Sequence, residues 1–173
     1  NGSSALPATH QSLLVLTLLR RDVGSEQLLP RLRREAAGDH QQPRAFGWLL
    51  RIVVGGELLH HLEVIWTEPD EGIWEVRGGP RQFTYSKVMA WVAFDRAIRS
   101  ATEFGMQGPI DEWKRVRAEI HDDVCRNGYN SGRKTFVQVY GEPQLDASLL
   151  LIPAVGFLPP GDPRVTSTIG AIE

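Results

Sequence analysis

The chain has 173 residues, enough for one ordinary domain with a hydrophobic core. Its 42% hydrophobic and 23% charged residues and formal charge of −2 are typical of a soluble globular protein, and they exclude the basic footprint of a nucleic-acid-binding domain. The apolar run at 13–19 is too short for a membrane span, which needs ~20 residues. Cys125 is the single cysteine, so an internal disulfide is excluded and a cytoplasmic location is expected.

The first half of the chain carries apolar patterns that are typical of helices. These patterns predict four helices, at 10–21, 25–37, 45–54 and 57–66. A loop over 67–81 follows the fourth helix.

The second half predicts an inner and an outer helix joined by a short connection. Residues 86–105 are apolar nearly all round over 88–94, as in a helix buried on most of its surface, and Ser86 is the expected helix cap. Pro109 begins the next predicted helix, whose apolar stripe ends at Asn127 and Gly128.

Three shorter elements complete the predicted order. They are an extended segment at 135–141, a short buried helix at 145–153 closed by Pro153, and a last helix with Asp162 as its N-cap and Pro163 at its first position. No strand pattern is long enough for a sheet-based fold, so the chain is predicted to be all-α, with inner helices packed inside outer ones.

The loop at 67–81 is the best candidate for chemistry. It places four carboxylates within eight residues (Glu68, Asp70, Glu71 and Glu75), and Trp74 directly precedes the last of them. An apolar wall disfavours the ionised form of a carboxyl group, which suits a catalytic acid, whereas a charged surface loop anchored by a tryptophan is the alternative. A flat indole face and arginine donors also suit sugar binding.

Metal and cofactor sites are not predicted. His60 and His61 are adjacent, so on a helix they point about 100° apart and cannot chelate one ion together. The nucleotide-binding glycine motifs, paired Cys-x-x-Cys and H-E-x-x-H are all absent from the sequence.

The stretch "HLEVIWTEPDEGIWEVRGGPRQFTYSKVMAWVAFDRAIRSATEFG" resembles glycoside hydrolase family 15, the glucoamylase and trehalase family, in its bacterial branch. The similarity continues through "FVQVYG", "LDASLLLIP", "VGFLPPGDPRV" and "TIGAIE". It implies an incomplete (α/α) barrel of the six-hairpin type and inversion at terminal α-glucosyl units of an α-glucoside or α-glucan. In the family's D-x-G-[IL]-W-E loop the last glutamate is the general acid, which implies Glu75 as the catalytic acid, with Trp74, Arg77, Asp70 and Arg81 as substrate contacts.

The sequence also departs from the family pattern. The family's upstream Trp-Asp-x-Arg stretch is not found before residue 67, and the general base belongs to a region beyond the last residue. The chain is therefore expected to be a shortened piece, with a divergent helical part at 1–56 and the central catalytic part at 57–173. Alone, such a piece is expected to be inactive and to leave faces such as that of 91–94 uncovered. The alternatives are a non-catalytic remnant and a module that binds a glycan or a protein.

Overall fold

The computed structural model describes residues 56, 58–73 and 79–173. In chain order the described elements are α1 (58–65), α2 (Thr84–Phe104), α3 (Ile110–Asn127), β1 (Tyr129–Asn130), β2 (Thr135–Phe136), a 3₁₀ helix (Ala147–Leu150), α4 (Leu151–Ala154) and α5 (Pro163–Ile172). The helices predicted at 10–21, 25–37 and 45–54 lie outside the described residues. None of the helices described is long and apolar enough to cross a membrane.

Helices α2 and α3 form a packed helical hairpin. Eleven of the 21 residues of α2 are buried, against four of the 18 residues of α3: Trp113, Val116, Ile120 and Val124. The prediction of an inner and an outer helix is therefore confirmed. The expectation that 91–94 would be uncovered is wrong, because Trp91 packs edge-on against Phe157 at 5.2 Å between ring centroids and Phe94 is fully buried.

A buried carboxylate links the two helices. The side chain of Asp95 on α2 is only 4% exposed, and its oxygens accept from Arg96 at 2.5 Å, from Arg99 at 2.9 Å and from Arg117 of α3 at 2.8 Å. A buried carboxylate is tolerated when it is paired in this way, and loss of one partner is strongly destabilising. The Arg117 guanidinium also lies over the Trp91 ring, 6.0 Å from its centroid.

The C-terminal half packs on this hairpin through short elements. Strands β1 and β2 form an antiparallel pair, and the backbone N–H of Phe136 in β2 donates to Thr168 of α5 at 2.9 Å. The extended segment predicted at 135–141 is shorter in the structure, because Val139 makes only an isolated bridge to Phe83 and a turn follows. The predicted cap of the last helix is confirmed, since Asp162 accepts from the backbone N–H of Arg164 at 2.9 Å.

The helix predicted at 145–153 is two elements, and Pro153 does not close it. The 3₁₀ helix begins after Asp146, whose side chain accepts from the backbone N–H of Ser148 at 2.7 Å, and α4 continues to Ala154. Pro153 lies in the first turn of α4, where a backbone N–H has no partner within an α-helix, so a proline is tolerated there.

Candidate active site

The loop between α1 and α2 is closed at its base by a pair of backbone hydrogen bonds. The N–H of Asp70 donates to the carbonyl of Arg81 at 2.9 Å, and the N–H of Arg81 donates back to the carbonyl of Asp70 at 2.7 Å. The chain therefore leaves and re-enters the helical layer at one point, where α1 ends and α2 begins.

The side chain of Asp70 fixes the first turn of the loop. Its Oδ1 atom accepts from the backbone N–H of Gly72 at 2.6 Å and from the hydroxyl of Ser86 at 2.8 Å. The prediction that Ser86 caps a helix is wrong, because α2 begins two residues earlier and its N-cap residue, Phe83, makes no side-chain cap bond. The hydroxyl instead joins two segments that lie 16 residues apart in sequence.

The turn that begins at Asp70 requires a glycine at position 72. Its φ of +68° lies in the left-handed region, where residues with a Cβ are strained. A Cβ at this position would also lie 3.0 Å from the ring of Phe83, closer than an ordinary carbon–carbon contact of ~3.5–4.0 Å. The glycine of the motif is thus explained by backbone conformation and by close packing.

A lysine that the sequence analysis did not single out lies beneath the loop. Lys87 is only 2% exposed, and its ammonium donates to the backbone carbonyls of Trp66 and, at 2.8 Å, Glu68. Burial lowers the pKa of this ammonium, and it outweighs the negative charges of Asp70, Asp123 and Glu68, which raise the pKa. A lysine next to an apolar helical run is expected to be exposed, because lysines are rarely buried, so no local sequence pattern indicates the burial of Lys87.

The returning limb of the loop contacts a second carboxylate that the sequence analysis did not identify. The Nη1 atom of Arg81 lies 2.9 Å and 3.1 Å from the two carboxylate oxygens of Glu142, in the turn after β2. Both side chains are more than a third exposed, so the pair contributes little to stability and is open to exchange for another hydrogen-bonding partner. Within the described residues, no group of three or more His, Cys, Asp or Glu side chains is arranged to hold a metal ion.

Comparison with known proteins identifies the family. The family model described as glycosyl hydrolases family 15 matches residues 40–173. The chain belongs to glycosyl hydrolases family 15. This family 15 chain is 44% identical to the trehalase of Thermoplasma acidophilum over 117 residues, and 50% identical to the trehalase of Mycobacterium tuberculosis over 107 residues. The matched segments are 68% and 62% of this chain, but only 20% and 16% of those trehalases.

Solved glycosidase structures show the same fold. A glycosidase variant in complex with glucose has a TM-score of 0.59 and 19% identity, and the wild-type glycosidase has a TM-score of 0.56 and 20% identity. Each likeness covers 66% of this chain and 30% of the solved chain. The predicted all-α fold of the (α/α)-barrel type is confirmed, as is the resemblance to family 15. The family match begins at residue 40, inside the part that was predicted to diverge over 1–56.

In this family 15 chain the predicted site residues fall into two groups. Glu75, Trp74 and Arg77 lie outside the described residues, and their roles stay predictions. Asp70 and Arg81 are brought together at the base of the loop, where each has a protein partner. Contact of either side chain with substrate stays a prediction.

Proposed function

We propose that this chain carries the proton-donor loop of an inverting glycoside hydrolase that cleaves the bond between two α-linked glucose units in trehalose. The observation that carries the proposal is the "DEGIWE" stretch (70–75) on a base that the structure shows to be closed and fixed to α2. Trehalose is the favoured substrate because the curated relatives, at 37–50% identity, are named trehalases. We also propose that 57–173 is the central part of the catalytic domain.

In this proposal Glu75 gives its proton to the glycosidic oxygen as the bond breaks. The indole of Trp74 supplies the apolar wall that keeps this carboxyl protonated near neutral pH, and it offers a flat face to a glucose ring. Arg77 and Arg81 donate to sugar hydroxyls, and Asp70 accepts from one. Inversion also needs a general base ~6.5–9.5 Å from the acid to activate water on the opposite face.

The test is a chimaera, in which the 107 matched residues of this chain replace their counterparts in the Mycobacterium tuberculosis trehalase. The chimaera is expected to release glucose from trehalose, and Glu75→Gln is expected to lower kcat by several orders of magnitude. Hydrolysis of α-glucosyl fluoride should survive in Glu75→Gln, because fluoride leaves without a proton. Glu71→Gln is the matched control and should retain both activities.

One result would count against the proposal, and a second would contradict the expected inactivity of the chain alone. If Glu75→Gln kept more than a tenth of the trehalose activity, Glu75 would not be the proton donor. If the 173-residue chain alone hydrolysed trehalose, and Glu75→Gln abolished this activity, the chain would supply its own base. We expect no measurable rate from the chain alone, because an acid without a general base cannot complete inversion and the family's Trp-Asp-x-Arg stretch is not found before residue 67.

A further inference from the structure

Two adjacent side chains of α2 reach back to the segment that leads into the loop. Lys87 donates to the carbonyls of Trp66 and Glu68, and Ser86 donates to the carboxylate of Asp70. The contacts therefore fall on alternate residues of 66–70, just before the "DEGIWE" stretch. Through them the first turn of α2 holds residues 66–70, the incoming limb of the loop, at three points.

The burial of Lys87 is not explained by packing alone. A buried ammonium is unfavourable unless it is paired, and the described hydrogen-bond partners of Lys87 are carbonyl oxygens rather than a carboxylate. The C-terminal end of α1 carries a partial negative charge that favours a cation there. An apolar side chain of similar length would fill the same space without desolvation of a charge, but it could not direct hydrogen bonds to the loop.

On the basis of the proposed function, we propose that Lys87 is a positioning residue for the catalytic acid. Its ammonium ties Trp66, directly after α1, and Glu68, in the segment that leads into the loop, to the buried inner helix α2. Ser86 completes the tie through Asp70, whose backbone in turn pairs with Arg81. Residues 66–70, which precede Glu75 in sequence, are thereby fixed to α2.

The consequence for catalysis is specific to proton transfer. A general acid must lie within ~2.6–3.2 Å of the oxygen that it protonates, and a misplacement of about 1 Å can lower the rate ~100-fold. Lys87→Met is therefore expected to lower kcat on trehalose by roughly 100-fold with a smaller change in KM. Hydrolysis of α-glucosyl fluoride, which needs no acid, should fall much less.

The first measurement uses the 173-residue chain and follows amide hydrogen exchange. Lys87→Met should speed exchange at 66–73 while leaving α3 and α5 protected. Thr84→Val is the matched control, because Thr84 is equally buried on the same helix turn but donates to Val137 at 2.5 Å, away from the loop. Thr84→Val should not change exchange at 66–73 selectively.

The second measurement compares the two substrates in the trehalase chimaera. Lys87→Met and, more weakly, Ser86→Ala should lose trehalose activity selectively, whereas Thr84→Val should change both substrates equally. If Lys87→Met lowered both activities in proportion, or left trehalose hydrolysis intact, the positioning role would be refuted. The proposed function fails separately, because in that case Glu75→Gln would itself show no selective loss.

Discussion

The substitution Gly72→Ala tests whether the base of the loop is as tightly constrained as its geometry indicates. Gly72 is buried, has a φ of +68°, and lies against the ring of Phe83. An added Cβ therefore meets two separate penalties. One is the left-handed backbone, and the other is the aromatic ring.

The two penalties can be given rough magnitudes. A residue with a Cβ in the left-handed region costs about 1–2 kcal/mol. The Phe83 ring atoms at 3.0–3.1 Å from the added carbon must retreat by a few tenths of an ångström, and overpacking of this kind costs about 1 kcal/mol at the low end of its range. Together they lower the free energy of unfolding by about 2–3 kcal/mol.

Urea unfolding of the 173-residue chain, followed by circular dichroism, measures the total loss of stability in Gly72→Ala. Substitutions at two other glycines separate the backbone penalty from the packing penalty. Gly79 has a φ of +81° and nothing within 4 Å of an added Cβ, so Gly79→Ala should cost only the ~1–2 kcal/mol of the backbone. Gly170, in α5, has neither constraint, so Gly170→Ala should stabilise by about 0.5–1 kcal/mol. If Gly72→Ala cost no more than Gly79→Ala, the contact with Phe83 would carry no energy and the reasoning would be refuted.

Two further predictions concern side chains outside the loop. Asp162→Ala should lower the free energy of unfolding by about 1 kcal/mol through loss of the N-cap, and Asp162→Asn by less. Hydrogen bonds from Arg164 lower the pKa of Asp162 in the folded chain. The stability advantage of the wild type over Asp162→Asn should therefore disappear as the pH falls below about 4. Equal stability of the two at neutral pH would contradict this. Burial and the Asp123 carboxylate raise the pKa of Tyr140, so stability should fall above pH ~10, and Tyr140→Phe should flatten this slope by about 1.4 kcal/mol per pH unit. An unchanged slope in urea titrations would show that the Tyr140 phenol ionises equally well in the folded chain.

The elements that the sequence predicts well are those with local signals. The apolar run at 88–94, the stripe that ends at Asn127 and the Asp162–Pro163 cap each act within a few residues, and the helices they predict agree with the structure within about two residues. Such signals need no knowledge of the rest of the chain.

The contacts that hold the candidate site together are not local. Ser86 meets Asp70 across 16 residues, and Arg81 meets Glu142 across 61. A serine near a helix start equally predicts a cap, and a lysine beside an apolar run predicts an exposed side chain. The motif therefore indicated which loop to consider, whereas the residues that fix its base, Lys87 above all, become evident only from the contacts of α2 with residues 66–70.

The backbone pair between Asp70 and Arg81 has a consequence for how far the length of the loop can change. Ten residues lie between the two paired positions, and the helices on either side are joined through the pair itself. The entropy of closing a flexible loop grows only slowly with its length, by about 0.6 kcal/mol for each doubling. A change in the number of residues between these positions therefore costs the helical layer little stability, because the Asp70–Arg81 pair joins the two helices independently of the length of the loop.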